Sequence, residues 1–184
     1  MSETRDKRRR TDLDLFVLAL IADGISTPYE LQKAAGLSQG ATVPALQRLV
    51  EAGFVRQGKP GARGRTDHRI TSAGKKQLKF AWRTLLDNGA SGDLDADLRV
   101  ALLILWAGGE RRLAADFLRQ SAEKNSESVV EIEESRDSTV LVPIALWYQR
   151  LRSASAVTLL KGQAKAALAM ADALPRHLSG KRRT

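Results

Sequence analysis

The chain has 184 residues, 43% of them hydrophobic, and carries a formal charge of +9 with a pI near 10.2. Cysteine is absent and the two histidines, His68 and His177, are far apart, which excludes disulfides, thiol nucleophiles and a local zinc motif. The length suits one compact domain or a small one with an appendage, and so large a positive excess points to a polyanionic partner where it is concentrated.

Residues 1–10 read as a flexible basic arm, placed either in a minor groove beside a binding site or free of any role. The apolar run that follows it is short, is interrupted by Asp12 and Asp14, and lacks an A-x-A cleavage site, so it does not read as an export signal. No stretch approaches the roughly 20 apolar residues that span a bilayer. A cytoplasmic protein without membrane contact is expected. Thr11 is a candidate cap for the first helix, with Leu13, Phe16, Val17, Leu20 and Ile21 on one face and Gly24 as its stop.

"TPYE" announces a second helix: Thr27 as cap, Pro28 at the first helical position, and Glu30 placed to reach back to the cap. It ends at Gly36. Ser38 opens a third helix with Leu46, Leu49 and Val50 as its apolar stripe, stopped by Gly53. Pro44 falls in its second turn if it begins at Gln39, so a start at Thr42 is the alternative. "FVRQ" (54–57) and "DHRIT" (67–71) then read as two strands of a hairpin around a glycine-rich, basic tip, "GKPGARGR". His68 and Ile70 share one strand face and Arg69 takes the other, with His68 packed under the hairpin. Thr71 or Ser72 caps a fourth helix to about Asp87.

From Gly53 to Arg83 there are nine cations against one acid, Asp67. Three helices, a strand, a projecting basic loop and a strand are the order of a winged helix-turn-helix. In that arrangement the third helix enters the major groove, and Lys59, Arg63 and Arg65 on the wing displace counterions from phosphates. Gln39, Thr42 and Gln47 are candidates to read base edges, and Arg48 to hold phosphate or guanine unless it pairs with Glu51 or Asp87.

Beyond "DNGASGD" the composition changes. Residues 93–174 read as helical, with stripes such as Leu98, Leu102, Leu105 and Trp106, and Ile144, Tyr148 and Leu151. Residues 89–184 hold 12 acids against 14 cations, so packing and self-association are expected there rather than nucleic-acid contact. Trp82, Trp106, Trp147 and Tyr148 are candidates either for an aromatic effector pocket or for core and dimer interface. The fold class is therefore mainly α with a small β-hairpin: an arm at 1–10, a DNA-binding domain at 11–90, a helical dimerisation or effector domain at 91–176, and a basic tail at 177–184. No catalytic constellation is present. "GARGRT" lacks the strand-turn-helix setting of a nucleotide loop, and neither enzyme activity, metal nor cofactor is expected.

These residues resemble the PadR family of bacterial transcriptional regulators. "LFVLALI" is similar to that family's first-helix run, and "PYEL" to its Gly-Tyr-Glu-Leu motif, matching at Tyr29, Glu30 and Leu31. "SQGATVPALQRL" aligns without gaps with the recognition-helix pattern at Ser38, Gly40, Pro44, Ala45, Leu46, Arg48 and Leu49. "EAGFV" and "HRITSAGKKQL" resemble the segments that flank the wing. The likeness covers about residues 13–80 and implies a proline kept inside the third helix. It also implies DNA-facing positions at Ala41, Thr42 and Val43, where the family has Thr-Leu-Tyr, so the operator sequence does not carry over. Tyr29 is implied to touch the DNA backbone, the alternative being a half-buried core aromatic. The helical second half is similar to the family's larger-tailed branch, implying a homodimer on a pseudo-palindromic operator, acting as a repressor that a small molecule releases. The alternatives are a protein-interaction module or a sequence-blind, nucleoid-type DNA binder.

Overall fold

The computed structural model describes residues 2–59, 66–134 and 143–176; Arg63, Arg65 and the predicted basic tail at 177–184 lie outside the described residues. The chain is mainly helical with one two-stranded antiparallel sheet. α1 spans Ser2–Ala22, so residues 2–10, expected as an arm, form its first turns. Glu, Lys and Arg are strong helix formers, and Thr11 costs too little to stop a helix passing through it.

α1 packs against α3, α4, α5 and the hairpin, and this changes its burial pattern. Leu15, Val17, Leu18 and Ile21 are buried, while Leu13, Phe16 and Leu20 are only partly so. A helix surrounded on several sides has no single apolar face, which is why the predicted stripe captures only part of it.

α2 (Pro28–Ala35) carries the predicted capping box: Thr27 accepts from the N–H of Glu30, and the Glu30 carboxylate accepts from the N–H of Thr27. Gly36 ends it at φ +67°, a left-handed conformation that glycine adopts without strain. α3 spans Gln39–Glu51, and Ser38 caps it by accepting from the N–H of Ala41. It starts at Gln39 with Pro44 inside, which settles that boundary. Gly40 and Pro44 both lie on the exposed side of α3, where water can meet a carbonyl that proline, lacking an N–H, does not bond.

β1 (Val55–Gln57) and β2 (His68–Ile70) pair as Val55↔Ile70, Arg56↔Arg69 and Gln57↔His68. Two side chains lock the hairpin to the rest. The imidazole of buried His68 lies 3.2 Å from the Ser26 carbonyl, to which its backbone N–H also donates. The Thr71 hydroxyl donates to the carbonyls of Gly53 and Phe54 and accepts from the N–H of Gly74, capping α4 (Ser72–Asp87).

The loop after α4 folds around buried Asp97, whose carboxylate accepts from the N–H groups of Ser91 and Gly92 and from the Ser91 hydroxyl. α5 (Leu94–Leu103) runs into a π-helical turn, Ile104–Gly108, against which the ring of Trp82 packs. α6 (Arg111–Glu134) and α7 (Pro143–Ala173) are antiparallel: Arg111 donates to the carbonyls of Leu174 and Asp172, and Lys161 pairs with Glu133 at 3.2 Å. Lys161 is mid-helix, so the first turns of α7, with Ile144, Trp147, Tyr148 and Leu151 exposed, extend beyond the end of α6.

The core does not break at residue 90. One continuous cluster links Val17 and Leu49 with Leu85, Ile104, Phe117 and Leu174. A buried ion pair adds to it: Arg99 of α5 donates to Asp12 of α1 at 2.8 Å and to Asp95 one turn away. No helix among the described residues is long and apolar enough to cross a membrane.

Candidate nucleic-acid interface

α3 turns two different faces to its surroundings. Ala45, Leu46 and Leu49 are buried, whereas Ser38, Gln39, Gly40, Val43, Pro44 and Gln47 are exposed and Ala41 is half-buried. Gln39, Val43 and Gln47 recur at i, i+4 and i+8 and form a row along the outside of the helix. Tyr29, at the start of α2, is 66% exposed beside this row, so it is not the half-buried core aromatic. Together with Gln57 and His68 these residues line an open groove of about 960 Å³ between α3 and the hairpin.

Two predicted readers are not in that row. Thr42 is fully buried, and its hydroxyl donates to the Ser38 carbonyl at 2.6 Å. A threonine whose hydroxyl is satisfied within its own helix can face the core, so Thr42 is a packing residue and not a reader of bases. Arg48 forms a two-pronged pair with Asp14 of α1, Nε to Oδ2 at 2.8 Å and Nη2 to Oδ1 at 2.6 Å. The hydrogen bonds to Asp14 hold its guanidinium above the ordinary arginine pKa despite partial burial. The partner is neither Glu51 nor Asp87, and the fork of Arg48 is spent on holding α3 to α1.

The half-exposed pair should couple modestly. Arg48→Ala and Asp14→Ala are each expected to lower unfolding free energy by about 0.5–1 kcal/mol. The double variant should lose little more than either single one, as a urea-melt double-mutant cycle would show.

The hairpin separates two chemistries. Its inner side, with Gln57 and His68, faces the α3 groove, whose described lining contains no lysine or arginine and one acid, Glu51. Lys59 is exposed at the base of the tip. Arg56 and Arg69 stand directly opposite each other on the outer side, both exposed, where two like charges in register cost stability. Strand alternation was the signal that could have placed both on one face; their register comes from the strand pairing itself. The lining of a second concavity, about 590 Å³, includes both arginines with Lys59, Asp67 and the start of α4 at Ser72.

The N–H of Ser26, with further bonds from Ser26 and Thr27 side and main chains, holds the Glu30 carboxyl below its usual range. Farther away, burial pushes Asp12 up to about 6 against the attraction of Arg99.

The four aromatic candidates fall into two groups. Trp82 is buried with its indole N–H unpartnered, and Trp106 lies half-buried in the adjoining π-helical turn. Trp147 and Tyr148 are 61% and 65% exposed on the projecting half of α7. They do not converge on one lining as a shared effector pocket requires; the first pair is core, and the second lies on an apolar surface with Ile144 and Leu151 at helical spacing. Compared with known proteins, the chain matches no family model and no curated protein.

Proposed function

We propose that this chain is a sequence-reading DNA-binding regulator of transcription, a homodimer with a winged helix-turn-helix reading head of the PadR type. The observation that carries the reading is the exposed row Gln39, Val43 and Gln47 on α3, set across an open groove from the hairpin residues Gln57 and His68. Glutamine amides pair in two-pronged fashion with adenine in the major groove, and an apolar side chain such as valine suits the thymine methyl. A half-site containing A·T pairs is therefore expected. The exposed apolar row on α7 supports self-association through the helical half. Repression, with release by a small molecule, belongs to the same reading through the resemblance.

Selection of bound duplexes from a random pool tests this. The expected product is an inverted repeat with half-sites about 10 bp apart or a multiple of that, and Gln39→Ala or Gln47→Ala should change its A·T positions rather than simply weaken binding. Absence of duplex binding overturns the proposal. A second reading, a sequence-blind DNA binder, is favoured by the cations lying off α3, on the hairpin and α4. Tight binding with no recovered motif would select it.

A further inference from the structure

Among the described residues, no cation lines the groove beside the candidate reading helix, whereas Arg56 and Arg69 line a separate concavity on the other face of the hairpin. Arg56 and Arg69 face each other across the strands, with no ion-pair partner for either among the described residues. Their concavity opens on Ser72, and from there Lys76, Lys79 and Arg83 continue along α4 at i+4, i+7 and i+11, all exposed. Lys75 borders the row. α4 holds no acid before Asp87, so the stripe from Ser72 to Arg83 is uninterrupted for about 16 Å. Phe80, 48% exposed, lies within it, with the Lys79 ammonium 5.6 Å and the Arg83 guanidinium 5.8 Å from its ring centroid. Those contacts lay the two long side chains along the helix and hold their charges in place.

Mutual repulsion between facing arginines is a standing cost that an anion bridging them removes. Evenly spaced cations along a rod match a periodic anion better than a single phosphate or carboxylate. Sixteen ångströms corresponds to about five base pairs at a rise of 3.4 Å along the duplex axis.

We infer that Arg56, Arg69, Lys76, Lys79 and Arg83 form a second phosphate-binding surface, which takes the backbone of the DNA flanking the half-site read by α3. The hairpin then acts as a wedge, with its neutral inner side toward the read bases and its cationic outer side on the flanking rail. This rests on the DNA-binding reading above. It extends the footprint to bases that no side chain of α3 reaches, and makes affinity depend on duplex length.

The test uses the duplex recovered by selection, either trimmed to its conserved positions or carrying about one extra helical turn, 10 bp, on each side. Anisotropy titrations across a salt series compare the full chain with Arg56→Ala/Arg69→Ala and with Lys76→Ala/Lys79→Ala/Arg83→Ala. The parent should bind the longer duplex more tightly and with a steeper salt slope. The arginine double variant should lose about 2 from that slope on the longer duplex, at about 0.9 per phosphate contact, and keep its site preference. Equal parent affinity for both lengths, or variants that keep the parent's slope, overturns the flanking surface and leaves the reading of α3 standing. Capture of a second labelled duplex without any gain from added flanks also overturns it, in favour of bridging between duplexes. A parent that binds neither duplex overturns both proposals together.

Discussion

Replacing Gly74 with alanine is expected to destabilise the chain by about 1–3 kcal/mol, as overfilling of a packed site does. A methyl at this position would stand 2.8 Å from Cγ1 of Ile70 and 3.1 Å from the carbonyl carbon of Phe54, and closer still to the Phe54 carbonyl oxygen. The backbone has no room to retreat, because that same carbonyl accepts from the N–H and the hydroxyl of Thr71. The strain therefore falls where β1, β2 and the first turn of α4 meet. Thermal melts should show the loss, and proteolysis in the loop between the strands should quicken. Gly40 provides the control: its surroundings are open, so Gly40→Ala should leave stability unchanged or raise it through better helix propensity. A Gly74→Ala protein that melts with the parent would mean that the hairpin does not sit on α4 as described.

The second large effect is expected at Asp12, on the other side of α1. One of its carboxylate oxygens accepts from Arg99, and the other is buried without a partner. Burial raises the folded-state pKa to about 6 from an ordinary value of 3.8. Between those values the folded chain holds a proton that the unfolded chain has released. The contribution of Asp12 to stability is therefore fully present below about pH 3.8 and is lost as pH rises through about 6. A shift of this size corresponds to about 3 kcal/mol over the whole window. Asp12→Asn should flatten that part of the stability profile, measured by denaturant melts between pH 4 and pH 8. Arg99→Met should steepen it, because the buried carboxylate loses its counter-charge and must protonate or unfold the site. If Asp12→Asn leaves the profile unchanged, Asp12 titrates as an ordinary surface carboxyl and the ion pair is not buried.

Much of the architecture was legible because its signals are local. Thr27, Pro28 and Glu30 specify the start of α2 within four residues, Gly36 ends it, and Thr71 marks the start of α4. What escaped depended on contacts between distant parts of the chain. Arg48 reads as a free cation until α1 brings Asp14 against it from 34 positions away. Thr42 reads as a polar surface residue because a sequence does not say that its hydroxyl is satisfied by a carbonyl one turn back. Tryptophan at helical spacing does not say which helix it packs on, so Trp82 and Trp147 were grouped although one is buried and the other exposed. Arg56 and Arg69 were counted as charge but not recognised as a pair, since the long glycine-rich loop hides the register between their strands.

The two aspartates of α1 have a joint consequence. At 100° per residue, Asp12 and Asp14 point to nearly opposite sides of the helix, one gripping α5 through Arg99 and the other gripping α3 through Arg48. One helix thus ties the two halves of the molecule together through an ion pair on each side. A displacement of α5 is thereby expected to reach α3, and with it the glutamine row, through α1.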